Sequence, residues 1–180
     1  MQNTTPQASI ILATYQWPEA LALVLSALLT QTEKSFEVMI ADDGSDERTK
    51  ATIKAYQSRA FFPVKHFWQE NKGFRKSRIL NQAIAAAKGR VLIFLDGDCV
   101  PHKDFVAQHV ALADAKHYVA GRRVDLSREF TATLTPPAIE KGALNGVASG
   151  LFRLWLDSLR KNGSNPFHRA YLVKNPFFRQ

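Results

Sequence analysis

The stretch Val91-Leu92-Ile93-Phe94-Leu95-Asp96-Gly97-Asp98 decides the fold of this chain of 180 residues. Its five apolar residues include β-branched and aromatic types, and such a run predicts a short strand that is buried on both faces. The predicted strand ends at two carboxylates separated by one glycine. Because residues i and i+2 of an extended segment point the same way, Asp96 and Asp98 are expected to face one spot.

Two carboxylates at one point repel each other unless a cation lies between them. Hard divalent ions prefer oxygen ligands and leave coordination positions open for phosphate oxygens, so the pair predicts a Mg²⁺ or Mn²⁺ site. Asp and Gly are also favoured in turns for reasons unrelated to metals, and a solvated turn is therefore the alternative interpretation. The rest of the chain supplies the context that distinguishes a metal site from a solvated turn.

Three pairs of a strand and a helix precede this strand. Short apolar runs predict the strands, and apolar residues at helical spacing predict the helices. The predicted strands cover residues 9–14, 36–41 and 64–68, and the predicted helices cover 18–31, 46–59 and a segment after Arg75 that Gly89 closes. Strands that alternate with helices of this length predict an α/β fold with a mostly parallel sheet flanked by helices on both sides.

Polar side chains follow each of the four predicted strands. In open α/β sheets the carboxyl ends of the strands line the ligand crevice, so residues that are distant in sequence are expected to converge there. The set comprises Thr14, Asp42, Asp43, Asn71, Arg75, Asp96 and Asp98. Turn residues fall in such loops by chance as well, but several charged side chains on one rim favour a binding site.

The composition fits one domain with a well-formed core, since 46% of the residues are hydrophobic. The net charge of +8 indicates an acidic partner, such as nucleic acid, an anionic membrane face or a phosphorylated ligand. Cys99, the only cysteine, excludes an internal disulfide, fits a reducing compartment and is expected to be a small buried hydrophobe. The polar first eight residues and the lack of an apolar run of about 18 residues predict a protein that is soluble or held at a membrane surface.

Beyond residue 102 the pattern is looser. We predict a helix near residues 105–112, a strand at 118–121, a loop at 131–137 and an amphipathic helix at 151–159. His102, His109 and His117 are expected at the surface or in packing, because no partners stand at metal-ligand spacing. The expected organisation is a core over residues 1–122 and a helical, basic extension over residues 123–180.

Four motifs resemble, in order and spacing, those of the family 2 glycosyltransferases with the GT-A fold. They are Ala8-Ser-Ile-Ile-Leu-Ala-Thr-Tyr15, Ile40-Ala-Asp-Asp-Gly-Ser45, Asn71-Lys-Gly73 with Lys76-Ser-Arg-Ile-Leu-Asn81, and Phe94-Leu-Asp-Gly-Asp98. Each motif alone is weak evidence, whereas four in register over residues 8–122 are specific. Segments 97–102 and 119–122 further resemble bacterial members that build cell-surface polysaccharide or lipopolysaccharide.

The resemblance implies a nucleotide-sugar donor, with UDP as the expected nucleotide, a divalent metal, and inverting transfer to a hydroxyl of a glycan or lipid-linked acceptor. Carried over by position, it implies site residues in three groups. These are Thr14, Tyr15, Asp42 and Asp43 at the base and ribose, Arg78 and Asp96 at the nucleotide, and Asp96 and Asp98 at the metal, with Asp98 the more direct ligand. Lys72, Arg75 and Lys76 are candidate fixed cations, and a solvated basic loop is their alternative interpretation.

The sequence does not identify the catalytic base. Inverting transfer needs a carboxylate within hydrogen-bond reach of the acceptor hydroxyl, and the family usually places it in an acidic pair well beyond the metal motif. The acidic residues after Asp104 are Asp114, Asp125, Glu129, Glu140 and Asp157, none of them in such a setting. We therefore expect a chain that holds the donor half of the enzyme and lacks much of the acceptor half. The alternative function is a catalytically silent nucleotide-sugar-binding module or scaffold.

The basic carboxy-terminal stretch has two interpretations. The apolar face of segment 151–159 could lie in a membrane interface while basic side chains meet anionic lipid, or that face packs against the domain. The expected location is the cytoplasm, with peripheral contact at the inner face of the cytoplasmic membrane under the first interpretation. Nucleic acid is not an expected partner, because the strands lack the interleaved aromatic and basic residues of a stacking platform.

Overall fold

The computed structural model describes residues 5–121, 123 and 125–145. Within these residues the four predicted strands form one parallel sheet in the order β3-β2-β1-β4. The strands are β1 Ala8–Thr14, β2 Phe36–Asp42, β3 Val64–Trp68 and β4 Val91–Asp96. The helices are α1 Pro18–Leu29, α2 Glu47–Arg59, α3 Lys76–Ala85, α4 Phe105–Leu112, α5 Arg128–Thr131 and α6 Pro136–Glu140. The sequence-based prediction of an α/β fold with a parallel sheet is confirmed.

The strand register brings the carboxyl ends of the central strands to one edge. Thr14 at the end of β1 pairs with Asp42 at the end of β2. On the other side of β1, Ala13 pairs with Asp96 at the end of β4. Since the polar residues that follow these strands begin at the same level of the sheet, their loops form a common rim.

The two faces of the sheet carry separate apolar clusters. One face packs against α1, α2 and α4 and includes Leu12, Leu25, Ile53 and Val106. Within the described residues, the other face packs against α3 and its cluster is smaller, with Ile11, Met39, Ala41, Ile79 and Ala83 at its centre. Every residue of β1 and β2 is buried, as expected for strands covered on both sides.

The starts of the first two helices follow the sequence signals. Pro18 stands at the first helical position of α1, where its missing N–H has no intrahelical partner to lose, and Glu19 follows in the first turn. The Asp46 side chain accepts a hydrogen bond from the Thr49 backbone N–H and caps α2. Both helices therefore begin just past the rim, so their first turns support the loops that carry the polar residues.

The prediction that β4 is buried on both faces is wrong. Leu92 is 41% exposed and Phe94 is 59% exposed, and both lie on the face covered by α3. That helix packs on β1 and β2, and β4 forms the edge of the described sheet. An apolar run shows that a strand prefers burial on both faces, but it does not show which neighbour covers each face.

Three smaller predictions are corrected. Gly89 does not end α3, which stops at Ala85; instead its backbone lies directly against the backbone of β1. The predicted strand at 118–121 has no regular secondary structure. The predicted loop at 131–137 is partly helical, because its two ends belong to α5 and α6.

The last described helix, α6, packs on the helices α1 and α2. The Glu140 carboxylate on α6 accepts hydrogen bonds from the Ser26 hydroxyl on α1, at 3.0 Å, and from the Arg59 guanidinium on α2, at 2.9 Å. The predicted helix at 151–159 lies outside the described residues. Of the helices that are described, none has the length and hydropathy needed to cross a membrane.

Gly89→Ala is expected to destabilise the chain by about 3 kcal/mol, because an added Cβ would clash with the backbone of β1 and force it to shift. That atom would lie 2.3 Å from the carbonyl carbon of Ala8 and 2.3 Å from the nitrogen of Ser9. Urea denaturation measures the change. Gly73→Ala is the matched control, since no atom lies within 4 Å of its added Cβ, although its φ of +82° adds strain of about 1 kcal/mol. A loss at Gly89 no larger than that at Gly73 would contradict the packing argument.

Candidate functional site

A cleft of about 470 Å³ opens at the carboxyl ends of β1, β2 and β4. This volume lies in the range of small-molecule sites. Its lining residues come from all four strand-end loops and from the segment after α4. They are Ala13, Thr14, Tyr15, Trp17, Asp43, Asn71, Gly73, Phe74, Lys76, Asp96, Gly97, Asp98 and Arg123. The structure therefore brings together five of the seven predicted site residues, namely Thr14, Tyr15, Asp43, Asp96 and Asp98.

The two carboxylates after β4 stand beside β1 because of the glycine between them. The Gly97 N–H donates to the Ala13 carbonyl oxygen at 2.7 Å, and a Cβ on Gly97 would lie 2.8 Å from that oxygen. Only a residue without a side chain allows this approach. The turn leaves Asp96 and Asp98 exposed to the cleft, with carboxylate oxygens within 4.8 Å of each other.

The donor set fits a hard divalent cation. Two exposed carboxylates at this separation can both reach one ion, and oxygen ligands suit Mg²⁺ or Mn²⁺. Cys99 Sγ lies within the same 4.8 Å, but burial and then the charge of Asp98 raise the pKa of the thiol to about 11. Without a bound cation this sulfur is therefore protonated at neutral pH, and the hard ions Mg²⁺ and Mn²⁺ prefer the carboxylate oxygens to a sulfur ligand. Cys99 is partly buried and packs against the apolar cluster of the first face, as expected for a small hydrophobe.

Lysine and arginine side chains differ in how they relate to the cleft. Lys76 Nζ lies 2.6 Å from Asp96 Oδ1, so this cation faces the carboxylate pair directly. Lys72 forms an exposed ion pair with Glu70 and belongs to the solvated part of the loop. Arg75 donates from its guanidinium to the Glu70 carbonyl oxygen and does not line the cleft. Of the three candidate cations, Lys76 is the one that the geometry places at the site.

Asp43 holds the loop after β3 in place. Its side chain is 7% exposed, and its two oxygens accept hydrogen bonds from the Gln69 side-chain amide and from the Arg75 backbone N–H, the latter at 2.9 Å. Next to it, Gly44 has a φ of +99°, and an added Cβ would lie 2.7 Å from the Asn71 backbone. This close packing fixes the loop that presents Asn71 and the following residues to the cleft.

The structure does not bring Asp42 into the cleft. Its side chain is fully buried, Oδ1 accepts from the Ser45 backbone N–H at 2.8 Å, and Oδ2 lies 2.9 Å from His66 Nε2. Burial by itself raises the pKa of this carboxyl, but the hydrogen bonds from His66 and Ser45 outweigh it and lower the pKa below its usual value. Asp42 is thus a buried anchor of the turn after β2, and its predicted contact with a ligand stays a prediction.

Arg78 is the other predicted residue that does not line the cleft. It is exposed on α3 and is not among the described residues that line the cleft. Its predicted contact with a nucleotide stays a prediction.

Sequence reasoning missed three lining residues, Trp17, Phe74 and Arg123. Trp17 is 54% exposed and Phe74 is 88% exposed. Such large exposed aromatic side chains are a signal of ligand or partner contact. Trp17 and Phe74 both precede the start of a helix, where an aromatic side chain can equally well pack into the core. The sequence alone therefore does not distinguish them from aromatic residues of the core.

The comparisons with known proteins agree with this geometry. Residues 9–159 match the family model described as Glycosyl transferase family 2. The chain is similar to the uncharacterized glycosyltransferase YfnE of Bacillus subtilis (strain 168), with 38% identity over 106 residues, which are 58% of this chain and 26% of that protein. The chain thus spans about a quarter of the length of that relative.

Two solved structures are similar in fold. One is the mannosyltransferase PcManGT from Pyrobaculum calidifontis in complex with GDP-Man and Mn²⁺, with a TM-score of 0.56 and 22% identity over 64% of this chain and 34% of that chain. The other is S. aureus TarS 1-349 in complex with UDP, with a TM-score of 0.51 and 26% identity over 58% of this chain and 31% of that chain.

Fold and family are therefore settled together. The parallel sheet flanked by helices has the GT-A fold of these glycosyltransferases. The chain belongs to glycosyltransferase family 2, as the four motifs of the sequence predicted.

Asp42→Asn is expected to flatten the dependence of stability on acid pH. The native pKa of Asp42 is lowered, whereas in the unfolded chain an aspartate titrates near 3.9. The ionised carboxylate therefore stabilises the fold above that pH, and the stabilisation is lost as the pH falls through the lower native pKa. Urea denaturation between about pH 5 and about pH 3 measures the slope, which should become shallower in the variant. Glu47→Gln, at an exposed carboxylate of α2, should leave the slope unchanged; equal slopes for wild type and Asp42→Asn would contradict the assignment.

Asp98→Asn is expected to make the Cys99 thiol more reactive. The charge of Asp98 and its hydrogen bond with the thiol are two of the causes that raise the pKa of Cys99. Removing the charge lowers that pKa and increases the thiolate fraction, so alkylation by iodoacetamide near pH 8 should be at least about threefold faster. Asp114→Asn removes an exposed carboxylate elsewhere and should leave the rate as in the wild type. The same rate in Asp98→Asn and wild type would refute the electrostatic coupling of these neighbours.

Proposed function

We propose that the cleft binds a nucleotide sugar, and that the chain is the donor-binding part of a metal-dependent inverting glycosyltransferase. The observation that carries the proposal is the position of the Asp96 and Asp98 carboxylates in the same cleft as Asp43 and Tyr15. A carboxylate pair and an aromatic side chain in one cleft offer a metal site and a stacking surface to the same elongated ligand. Family membership favours a transferase over a catalytically silent module or scaffold.

The nucleoside is assigned to the side of the cleft formed by β1 and β2. Tyr15 is 52% exposed there, and its hydroxyl accepts a hydrogen bond from the Asn71 side-chain amide at 3.0 Å, which holds the ring in position. The Asp43 oxygens each retain a lone pair beyond the two internal hydrogen bonds, so they can accept from a ribose hydroxyl or a base N–H. Thr14 supplies a further polar wall at the end of β1.

The diphosphate is assigned to the side of the cleft formed by β4. Asp96 and Asp98 would hold a Mn²⁺ or Mg²⁺ ion there, with the remaining coordination positions open to phosphate oxygens. When bound, the ion would neutralise the charge that develops on the nucleoside diphosphate leaving group. Lys76 stands beside the pair and adds a fixed positive charge next to Asp96.

The donor proposed first is a UDP-sugar, and the acceptor proposed is a hydroxyl of a glycan or lipid-linked molecule in bacterial cell-surface polysaccharide synthesis. The S. aureus TarS structure contains UDP, and the PcManGT structure contains GDP-Man and Mn²⁺, so both nucleotides belong in a first test. A cytoplasmic location with peripheral membrane contact remains part of the proposal. Its apolar segment, 151–159, lies outside the described residues.

The catalytic base is not assigned to the cleft as described. Among the described residues the lining carboxylates are Asp43, Asp96 and Asp98, and each already has a role in loop anchoring or cation binding. Of the later acidic residues, Glu140 is bound to Arg59 and Ser26 on α2 and α1, and Asp125 pairs with Arg123 at the surface. The proposal therefore covers donor binding by these residues and leaves the base to another part of the protein.

A thermal-shift panel of UDP-sugars and GDP-sugars with and without Mn²⁺ tests the proposal. At a ligand concentration of about 100 Kd, binding adds about 2.7 kcal/mol to the free energy of unfolding, which should raise Tm by about 5 °C or more. Asp98→Ala is expected to abolish the Mn²⁺-dependent part of the shift and to leave the Tm without ligand nearly unchanged, because the side chain is exposed.

Asp114→Ala, which removes an exposed carboxylate outside the cleft, is the control and should keep the full shift. The proposed function fails if no nucleotide sugar gives a Mn²⁺-dependent shift in the wild-type chain. It also fails if Asp98→Ala keeps that shift.

A further inference from the structure

Ser45 joins three strand-end loops although it does not line the cleft. It is 3% exposed, and all three of its polar groups are used. Its N–H donates to Asp42 Oδ1 at 2.8 Å, its carbonyl oxygen accepts from Trp68 Nε1 at 3.0 Å, and its Oγ accepts from the Gln16 backbone N–H at 2.9 Å. A single buried residue thereby connects the ends of β2 and β3 to the loop after β1.

The residue that Ser45 holds has an unfavourable backbone. Gln16 has a φ of +51°, and among the described residues no other non-glycine residue has a positive φ. The left-handed conformation is sterically unfavourable for a residue with a Cβ, and it persists only where the surroundings enforce it. The hydrogen bond to Ser45 Oγ is such a constraint, and the Gln16 side-chain oxygen accepts a second one from the Asp46 N–H at 3.3 Å.

The strained residue lies between two aromatic residues of the cleft. Tyr15 and Trp17 both line it and are both about half exposed, whereas Gln16 does not line it. A change of φ at Gln16 from the left-handed to the ordinary region would rotate the peptide planes on both sides. The directions in which the Tyr15 and Trp17 rings leave the backbone would change with them.

Resting on the proposed function, we propose that Ser45 is a positioning residue for donor binding. It holds Gln16 in the left-handed conformation and so aims the Tyr15 and Trp17 rings at the bound nucleotide. Asp42 and His66 extend the same connection to β3, because Asp42 fixes the Ser45 N–H and is itself held by His66 at 2.9 Å. Under this proposal Asp42, the buried member of the neighbouring residues Asp42 and Asp43, acts on the site without contacting the ligand.

The test compares variants at the exposed position 16 and at Ser45, with UDP or GDP in the presence of Mn²⁺ as the probe, whichever binds the wild-type chain more tightly. Gln16→Val opposes the left-handed conformation because of its β-branch, and Gln16→Gly adopts it without strain. The Kd of Gln16→Val is expected to rise about tenfold, and Gln16→Gly is expected to bind at least about fivefold more tightly than Gln16→Val. Neither change removes a buried contact, so folding should be preserved in both.

Ser45→Ala provides the second arm. It should raise the Kd about tenfold in the wild-type background but only about threefold or less when combined with Gln16→Gly, because glycine needs no partner to hold a positive φ. Ser58→Ala is the control, since its hydroxyl donates to the Lys54 carbonyl oxygen on the exposed face of α2. Equal affinity of Gln16→Val and Gln16→Gly would overturn the inference, as would an equal loss from Ser45→Ala in both backgrounds.

Hydrogen exchange separates this inference from the proposed function. In Ser45→Ala, residues 15–17 should lose protection relative to the wild type whether or not a nucleotide is present, because the Gln16 N–H loses its acceptor. A wild-type chain that binds neither UDP nor GDP would overturn the proposed function, and the role of Ser45 in donor binding with it. Normal wild-type binding with unchanged protection in Ser45→Ala would overturn the positioning role alone.

Discussion

The parallel pairing of β1 with β2 and with β4 is the constraint on which the site depends. It aligns Thr14 with Asp42 on one side and Ala13 with Asp96 on the other. Residues that are about 30 and 80 positions apart in sequence therefore reach one rim at the same level of the sheet. The Gly97 N–H then continues the pairing by one more hydrogen bond, to the Ala13 carbonyl oxygen. The carboxylate pair is thus held by the backbone of the sheet, which is rigid, and not by its own loop.

Asp42 and Asp43 are neighbours in sequence but make different contacts, because their side chains point to opposite faces of the sheet. Side chains of an extended segment alternate between faces, so Asp42 follows the parity of Ile40, which packs under α1 and α2. Asp43 follows the parity of Ala41, which belongs to the cluster under α3. One carboxylate therefore points to His66 and the turn, and the other to the loop after β3 and the cleft. The sequence shows that the Asp42 and Asp43 side chains point to opposite faces of the sheet, but it does not show on which face the cleft opens.

The same limit explains which predictions are confirmed and which are not. Strand and helix positions were predictable because apolar runs and caps such as Asp46 are local signals. The Asp96 and Asp98 site was predictable because strand ends converge in any parallel sheet. The exposure of Leu92 and Phe94, the absence of Arg78 from the described cleft lining and the hydrogen bonds of Ser45 to other loops all depend on which element packs beside which. Those arrangements arise from contacts between distant segments, and no single segment encodes them.

The charge of the cleft differs from the net charge of the chain, and the difference favours a bound cation. A net charge of +8 predicts an acidic ligand, yet the cleft is lined by three carboxylates, at Asp43, Asp96 and Asp98, and by two cations, at Lys76 and Arg123. The hydrogen bonds to Asp43 stabilise its charge without neutralising it, and Lys76 is already paired with Asp96. A diphosphate that entered this cleft alone would meet repulsion from the exposed carboxylates of Asp96 and Asp98, which water and salt screen only in part at contact distance. We therefore propose that such a ligand binds through these residues together with a further positive charge between Asp96, Asp98 and the phosphates, and a divalent ion is the group that their oxygen ligands favour.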